Sequence, residues 1–396
     1  MNKASYLLVV PDGMADWPQE DLNGLTPWEA ASTPNLDRLC EAGRTFRLQN
    51  IPPESPADSG VANMALLGYD PRKYYLGRGA LEALNLGLEL DDDQVAYRCN
   101  LVTVDNNDRL IDYSAGSLPG EVGAVLFAAL QEEFGGEEYT FHHGVGYRGI
   151  LLVREVGELD CSRPHDEMGR PVQELLPRGE AAERLTRLMR TSQDFLSEHP
   201  ENRALIEAGE RTANMIWPWG PGRLSGLPGL EERYGIQGSV VAGVDLINGL
   251  GLALGMNKID VPGATGGFDT DMAAKAEAAV AELEPGRLTF LHLEAPDEAG
   301  HDGDARLKLE MIEKFDREIL SLIYHHWQKN KFNLALGPDH YTPIQERTHV
   351  KEPVPFLVLD GGKNKYTCTE SGSREAPFAP RAWNRLAHWY EKNKEF

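Results

Sequence analysis

Tyr6-Leu-Leu-Val-Val10 is an unbroken apolar run that Pro11-Asp12-Gly13 stops at once. A run of this kind is typical of a strand buried on both faces, as in a parallel sheet. Similar apolar runs follow near Val240 and at Leu288–Leu293, Phe332–Leu336 and Pro355–Leu359. Helical stretches alternate with them, notably at Asp271–Leu283 and Ala305–Trp327. The sequence therefore predicts an α/β sandwich whose functional residues lie at the carboxyl ends of strands.

The middle of the chain has a different pattern. Shorter β segments, such as Val95–Val104 and Gly149–Val153, lie next to one another, and a polar helix is predicted at Glu180–Ser197. The Gly/Pro-rich stretch Trp217–Gly222 is interpreted as a joint. We predict a smaller inserted α+β domain of residues 95–235, acting as a substrate lid. Residues 1–94 and 236–396 would then form a discontinuous metal-binding domain.

Composition limits the classes of partner. The 396 residues suffice for two domains, and 41% hydrophobic with 26% charged residues is ordinary for a globular protein. A formal net charge of −23 argues against a nucleic acid or an anionic membrane as partner.

Cysteine usage and hydropathy indicate a compartment. Cys40, Cys99, Cys161 and Cys368 are scattered, with no spacing typical of a zinc motif or a disulfide framework. The first apolar run is too short for a signal sequence, and no run approaches the length of a membrane span. We therefore expect a cytoplasmic protein.

Carboxylate and imidazole groups recur at, or just past, the ends of the apolar runs. Asp297 and His301 are four residues apart, so on a helical turn both project from one face and can hold one ion. Taken singly, such groups are more often capped turns or surface histidines. Their recurrence favours a Zn, Mn or Fe centre over calcium, with these candidate ligands: Asp12, Asp297, His301, Asp339, His340 and His349.

Ser59 precedes an apolar helical stretch, in a loop rich in proline and glycine. Taken alone, it would be an ordinary turn hydroxyl. At a helix N-terminus, however, backbone N–H groups and the helix dipole would favour a phosphate on its oxygen. With metal ligands elsewhere in the chain, Ser59 is a candidate metal-activated nucleophile.

Eight motifs in this order resemble the archaeal-type cofactor-independent phosphoglycerate mutases of the alkaline phosphatase superfamily: Pro11–Asp16, Thr33–Asp37, Ser59–Asn63, Leu67–Pro71, Tyr97–Asn100, Val261–Gly266, Asp297–His301 and Asp339-His340. The resemblance implies an alkaline-phosphatase-like three-layer sandwich and a small phosphorylated substrate. It implies two divalent ions, Mn or Zn, one bound by Asp12, Ser59, Asp339 and His340, and the other by Asp297, His301 and His349. It also implies a phosphoserine intermediate on Ser59.

The chain departs from the family pattern where substrate is expected to bind. Gly60 stands in place of a carboxylate, Asn63 in place of a histidine and Asn248 in place of a lysine. Tyr113, Ser114 and Ser117 fall in a stretch where the mutases carry three arginines. Bidentate arginines are the usual way to bind carboxylate and phosphate. We therefore predict that substrate binding depends on other side chains: Asn63, Arg98, Arg148 and Arg223.

These observations predict a metal-dependent phosphotransferase acting through Ser59. The family's usual activity is interconversion of 3-phosphoglycerate and 2-phosphoglycerate. Phosphorylation of a small hydroxyl amino acid such as homoserine is an alternative, because a proposed kinase branch of the family shares the Asn63 and Asp112–Gly116 departures. A catalytically inactive, metal-bound scaffold is a third possibility.

Overall fold

The computed structural model describes residues 4–224 and 226–361. Within these residues the chain forms two compact units, one of residues 4–75 and 227–361 and the other of Leu76–Gly226. The strands in chain order are β1 Tyr6–Pro11, β2 Arg44–Leu48, β3 Gln94–Val104, β4 Leu110–Asp112, β5 Tyr139–His143, β6 Arg148–Arg154, β7 Met215–Gly222, β8 Gln237–Val241, β9 Asn257–Lys258, β10 Arg287–Leu293, β11 Asn333–Leu336 and β12 Val354–Leu359.

The helices in chain order are α1 Pro27–Ala30, α2 Pro34–Ala42, α3 Ser59–Leu66, α4 Pro71–Tyr74, α5 Arg78–Asn85, α6 Gly120–Phe134, α7 Val172–Leu175, α8 Ala182–Ser197, α9 Pro200–Glu207, α10 Leu230–Tyr234, α11 Asp245–Ala253, α12 Met272–Ala281, α13 Ala295–Asp302, α14 Ala305–Phe315 and α15 Ser321–Asn330. Short 3₁₀ turns lie at Glu20–Leu22 and Pro164–Asp166, and a π-helical turn at Asp316–Leu320 joins α14 to α15.

The first unit is built on a seven-stranded sheet in the order β2-β12-β11-β1-β10-β8-β9. The five strands from β11 to β9 are parallel, and β12 and β2 add an antiparallel edge. Every residue of β1 is buried, as expected for a strand covered on both faces. The predicted α/β class with a largely parallel sheet is confirmed.

Helices cover both faces of this sheet. Neighbouring residues of a strand point to opposite faces, and Val240 and Val241 of β8 show the result. Gly251 of α11 lies directly on Val240, where an added Cβ would be 2.5 Å from a Val240 methyl. Val241 joins the opposite hydrophobic cluster, with Ala276 of α12 and Phe315 of α14. The first unit is therefore a three-layer sandwich.

The register of the parallel strands determines where the polar residues that follow them lie. Val9 of β1 lies opposite Leu336 of β11, and Val10 lies opposite His292 of β10. The residues that directly follow these strands therefore emerge at one edge of the sheet. That edge is the usual ligand-binding edge of an open α/β sheet.

Helix α2 begins at Pro34, directly after Thr33, a residue type that often caps helices. Thr33 makes no capping hydrogen bond with its side chain. Instead the carboxylate of Asp316, within the π-helical turn, accepts hydrogen bonds from the backbone N–H groups of Asn35 and Leu36, at 3.1 and 2.8 Å. A distant residue thus satisfies the free N–H groups at the start of this helix.

The second unit contains a five-stranded antiparallel sheet, with the order β4-β3-β6-β5 and with β7 paired to β3. The units divide at residues 76 and 226 rather than at the predicted 95 and 235. Helix α5 packs so closely on β3 that a Cβ at Gly79 would lie 2.2 Å from the Ala96 carbonyl oxygen. Helix α10 is tied to the first unit, where Tyr234 donates to the Gly68 carbonyl at 2.7 Å.

The interpretation of Trp217–Gly222 as a joint is wrong, because this stretch forms most of β7. Cys99 lies opposite Pro218 and Asn100 opposite Trp217 in antiparallel pairing with β3. Proline lacks the N–H group of a strand interior and is tolerated at a sheet edge. Strand β7 pairs only with β3 among the described strands, so it is such an edge.

The described cysteines and helices bear on the expected compartment. Cys40, Cys99 and Cys161 are free thiols, and Cys368 lies outside the described residues. No helix in residues 4–224 and 226–361 is long and apolar enough to cross a membrane.

Candidate metal centre

Asp12 directly follows β1 and is completely buried. Its backbone N–H donates to the Leu293 carbonyl at 2.8 Å, which ties the turn to the end of β10. The next residue, Gly13, has a φ of +56°, and a Cβ there would lie 2.3 Å from Asp297 Oδ1. Its N–H donates to Asp339 Oδ1 at 3.2 Å. Only glycine fits this conformation and this spacing.

Ser59 is the first residue of α3, behind the capping residue Asp58. The Asp58 carboxylate accepts from the Gly60 N–H at 2.9 Å, so it fixes the first turn of the helix. The Ser59 hydroxyl lies 3.1 Å from His340 Nε2. One turn later, the Asn63 amide donates to Asp339 Oδ2 at 2.8 Å and to the Ser59 carbonyl at 2.9 Å.

The structure brings Asp12, Asp339 and His340 together. His340 Nε2 lies 3.3 Å from Asp12 Oδ1 and 3.3 Å from Asp339 Oδ2, and all three side chains are completely buried. The Thr342 hydroxyl, 3.2 Å from His340 Nδ1, holds the other side of the imidazole ring. These three residues, with Ser59, are the first predicted ligand set.

The second predicted ligand set is also brought together, and it consists of Asp297, His301 and His349. Asp297 and His301 lie on one face of α13, with Asp297 Oδ2 3.1 Å from His301 Nε2. His349 Nε2 is 3.4 Å from Asp297 Oδ1 and 3.0 Å from His301 Nε2. The His349 ring also stacks on His340 at 3.7 Å between centroids, so the two sets adjoin.

The charges of these groups depend strongly on their surroundings. Burial, and then the neighbouring Asp339, raise the pKa of Asp12 well above its usual range. Burial would also raise the pKa of Asp297, but His349 and His301 hold it well below its usual range. Burial lowers the pKa of His340 to about 4, so its ring is neutral and has a lone pair to donate.

The donor set fits divalent cations. Neither carboxylate oxygen of Asp12 has a hydrogen-bond partner among the described residues, although both are buried. A buried carboxylate without partners is costly. Asp12, Asp339 and His340 offer ligand atoms within 4.8 Å of one another, and so do Asp297, His340 and His349. Imidazole and carboxylate together suit Zn or Mn.

Sequence reasoning missed two residues beside this centre, His292 and Glu294. His292 is completely buried, and its Nε2 lies 3.3 Å from Asp12 Oδ2. Glu294 follows β10 directly, and its carboxylate lies 3.6 Å from His292 Nδ1. The signal in the sequence was a histidine within an apolar strand. Neighbouring residues of a strand point to opposite faces, so His292 lies on the face opposite to Leu291 and Leu293, which join the hydrophobic cluster.

The predicted substrate-binding arginines belong to the second unit and differ in their surroundings. Arg98 is buried and donates to Glu82 at 2.7 Å, and Arg148 has a buried Nε without a hydrogen-bond partner in the described chain. Arg223 donates to the backbone carbonyls of Asp92, Gln94 and Val156. Its guanidinium therefore joins chain segments through hydrogen bonds to their carbonyl groups.

The residues that differ from the family pattern make contacts of their own. A Cβ at Gly60 would lie 2.8 Å from the Tyr75 ring, so a longer side chain requires Tyr75 to move. Ser114 donates to Asp112 at 2.8 Å and accepts from the Ser117 N–H at 3.1 Å, so these serines stabilise their own turn. The Asn248 side chain makes a long contact of 3.4 Å with the Ala242 carbonyl.

Known proteins resemble this chain in both sequence and structure. Residues 40–202 match the family model for 2,3-bisphosphoglycerate-independent phosphoglycerate mutase. The mutase of that name from Methanothrix thermoacetophila is 42% identical over 90% of this chain and 91% of its own length. The one from Methanosarcina barkeri is also 42% identical, over 94% of this chain and 93% of its own.

Two solved structures resemble this chain over at least nine-tenths of its length. A protein from Pyrococcus horikoshii has a TM-score of 0.80 and 29% identity, covering 100% of this chain and 99% of its own. The cofactor-independent phosphoglycerate mutase from Thermoplasma acidophilum has a TM-score of 0.57 and 27% identity, covering 91% of each chain. With relatives at this identity over nine-tenths of its length, the chain belongs to the family of 2,3-bisphosphoglycerate-independent phosphoglycerate mutases.

Proposed function

We propose that this chain interconverts 3-phosphoglycerate and 2-phosphoglycerate through a phosphoserine on Ser59. The observation that supports this most directly is the placement of the Ser59 hydroxyl, 3.1 Å from His340 Nε2 at the edge of a buried carboxylate and imidazole cluster. The names of the relatives support the same reaction.

Two divalent ions, Mn or Zn, are part of this proposal. Asp12, Ser59, Asp339 and His340 would hold one, and Asp297, His301 and His349 the other. When bound, such ions lower the pKa of a hydroxyl and stabilise negative charge on the oxygens of a transferring phosphoryl group. His340 can bind as a neutral imidazole because burial keeps its pKa near 4.

The residues around Ser59 would hold it in position for phosphoryl transfer. Ser59 Oγ attacks phosphorus, the bond from phosphorus to the glycerate oxygen breaks, and the hydroxyl proton ends on that departing oxygen. The other glycerate hydroxyl then attacks the phosphoserine phosphorus, the bond from phosphorus to Ser59 Oγ breaks, and the proton of that hydroxyl ends on Ser59 Oγ. Asp58 caps the start of α3, and the positive end of the helix dipole there would favour a phosphate on Ser59.

Substrate contacts are proposed for Asn63, Arg98 and Arg148. Asn63 already bonds Asp339 through its amide nitrogen, while its oxygen is buried and has no partner among the described residues. Arg148 has an unused buried Nε, so it is the stronger of the two arginine candidates. Alanine at Arg148 is expected to raise KM for phosphoglycerate more than it lowers kcat.

The test is detection of the covalent intermediate. After incubation with 3-phosphoglycerate and an acid quench, mass spectrometry should find one phosphoryl group on the peptide that contains Ser59. Ser59→Ala should abolish both this modification and 2-phosphoglycerate formation. Ser55→Ala, in the same loop, is the matched control and should behave as wild type. Phosphate on another residue, or full turnover by Ser59→Ala, would disprove the mechanism.

Homoserine phosphorylation remains the second candidate, favoured by the neutral side chains at the departing positions. Gly60 is closely packed against Tyr75, and Ser114 and Ser117 bond within their own turn, so none of them supplies the charge that a doubly anionic substrate requires. ATP-dependent phosphorylation of homoserine, without mutase turnover in an enolase-coupled assay, would decide for the kinase. Metal binding without phosphoserine or either activity would indicate an inactive scaffold.

A cytoplasmic location is part of the proposal. It is supported by the free thiols of Cys40, Cys99 and Cys161, which a reducing compartment maintains.

A further inference from the structure

Beside the two proposed ligand sets lies a third group of metal-ligand atoms, which neither set uses. Asp12 Oδ2 is 3.3 Å from His292 Nε2, and His292 Nδ1 is 3.6 Å from Glu294 Oε2. One ligand atom from each of these three residues lies within 4.8 Å of the others. Asp12 and His292 are completely buried, and Glu294 is largely so.

These ligand atoms have no hydrogen-bond partners in the described part of the chain. Both nitrogens of His292 and the Oε2 of Glu294 are buried and make no hydrogen bond with any described residue, and the same holds for both oxygens of Asp12. Asp12 Oδ1 lies 3.3 Å from His340 Nε2, while Asp12 Oδ2 lies 3.3 Å from His292 Nε2. The two-ion centre therefore leaves this second group of atoms unexplained. Buried polar atoms without partners usually mark a bound water or ion.

We propose that Asp12, His292 and Glu294 form a third cation site, for a first-row divalent ion such as Mn²⁺. One imidazole nitrogen with two carboxylate oxygens is a ligand set that suits Mn or Zn better than Ca. Asp12 would bridge this ion and the first ion of the proposed centre. The site goes beyond the proposed two-ion mechanism, and it shares only Asp12 with it.

Lys275 of α12 is the competing occupant. It is completely buried, and its Nζ has no hydrogen-bond partner in the described chain. Burial lowers the pKa of Lys275, and the nearby Glu294 carboxylate opposes that shift. Burial, with a smaller contribution from the charge of Lys275, lowers the pKa of His292. If the lysine ammonium neutralises Glu294, a third divalent ion is not needed. The two arrangements differ in the number of ions bound.

Equilibrium dialysis of the full chain against Mn²⁺, followed by elemental analysis, separates them. Wild type should bind about three equivalents, and Glu294→Gln about two, because a neutral amide is a weak ligand for a hard cation. His292→Asn should also bind about two. Glu310→Gln, which removes an exposed carboxylate of α14, is the matched control and should keep three.

Two equivalents in wild type at saturating Mn²⁺, or three in Glu294→Gln, would overturn the proposal. A failure of the two-ion centre looks different, since His301→Ala should lose one equivalent while Glu294→Gln loses another. Lys275→Met gives an independent measurement, because removal of the nearby positive charge should tighten binding of the third equivalent. Unchanged or weaker binding in that variant would count against the site. Circular dichroism of each variant confirms that it is folded.

Discussion

Two buried clusters of charge, one in each unit, differ in how they are neutralised. In the first unit, Asp12 lies among other carboxylates with no hydrogen-bond partner in the described chain, and burial raises its pKa. In the second unit, Glu82 is also buried but accepts from Arg98 and Arg78, each at 2.7 Å. Although burial would raise the pKa of Glu82, these arginines hold it below its usual range.

The difference shows that burial alone does not identify a ligand site. The Glu82 cluster is closed, because its positive partners come from the chain itself, and the Trp219 ring lies 5.1 Å from the guanidinium carbon of Arg98. The Asp12 cluster is open, because both oxygens of Asp12 lack a hydrogen-bond partner in the described chain. Unpartnered buried oxygens, rather than burial, distinguish the two.

The largest expected effect is loss of an ion from the open cluster. His301→Ala removes a ligand 3.1 Å from Asp297 and should cost about one of two equivalents in the proposed centre. Activity should fall by more than the roughly 100-fold that loss of an outer ligand partner can cost. Elemental analysis and the enolase-coupled assay measure both. His325→Ala, an exposed histidine of α15, is the control, and retained metal in His301→Ala would contradict the assignment.

Substitution of Glu82 in the closed cluster should lower the free energy of unfolding. Glu82→Gln leaves Arg98 buried without its carboxylate, which costs about 3–5 kcal/mol when one partner of a buried pair is removed. Hydrogen exchange of peptides from β3 and β7 should report this local loss. Glu198→Gln breaks an exposed pair with Arg203 and should cost less than about 1 kcal/mol. Equal effects of the two substitutions would show that Glu82 is not a buried neutralising group.

The smallest effect concerns pH. The pKa of Glu82 is lowered in the folded chain, so its stabilising contribution is complete above the unfolded value of about 4.3 and is lost as pH falls through the folded pKa. The difference in urea midpoint between wild type and Glu82→Gln should therefore be constant from pH 6 to 7 and narrow below about pH 4. A difference in urea midpoint that grows as the pH falls below about 4 would contradict a lowered pKa of Glu82.

The sequence predicted those features that depend on local pattern. The apolar run Tyr6–Val10 forms β1, and the four-residue spacing of Asp297 and His301 places both on one face of α13. The polar groups predicted at strand ends converge because parallel strands end at the same edge. The ligand roles of these residues stay predictions until ions are measured.

Features that depend on distant contacts could not be predicted in this way. The cap of α2 comes from Asp316, 281 residues from Asn35, and no local pattern indicates it. Trp217–Gly222 contains the residues of a turn, but its pairing with β3 makes it an edge strand. His292 was hidden within an apolar run, and only the neighbouring β1 shows that it faces Asp12.

Gly13 has a consequence for how the centre can change. Its N–H bonds Asp339 of the first ligand set, and the space of its missing side chain is filled by Asp297 of the second. A side chain at this position would overlap Asp297 and Thr342, so either these side chains or the turn after β1 would have to shift. The distance between the two predicted ligand sets therefore depends on one backbone position that contributes no side chain to either of them.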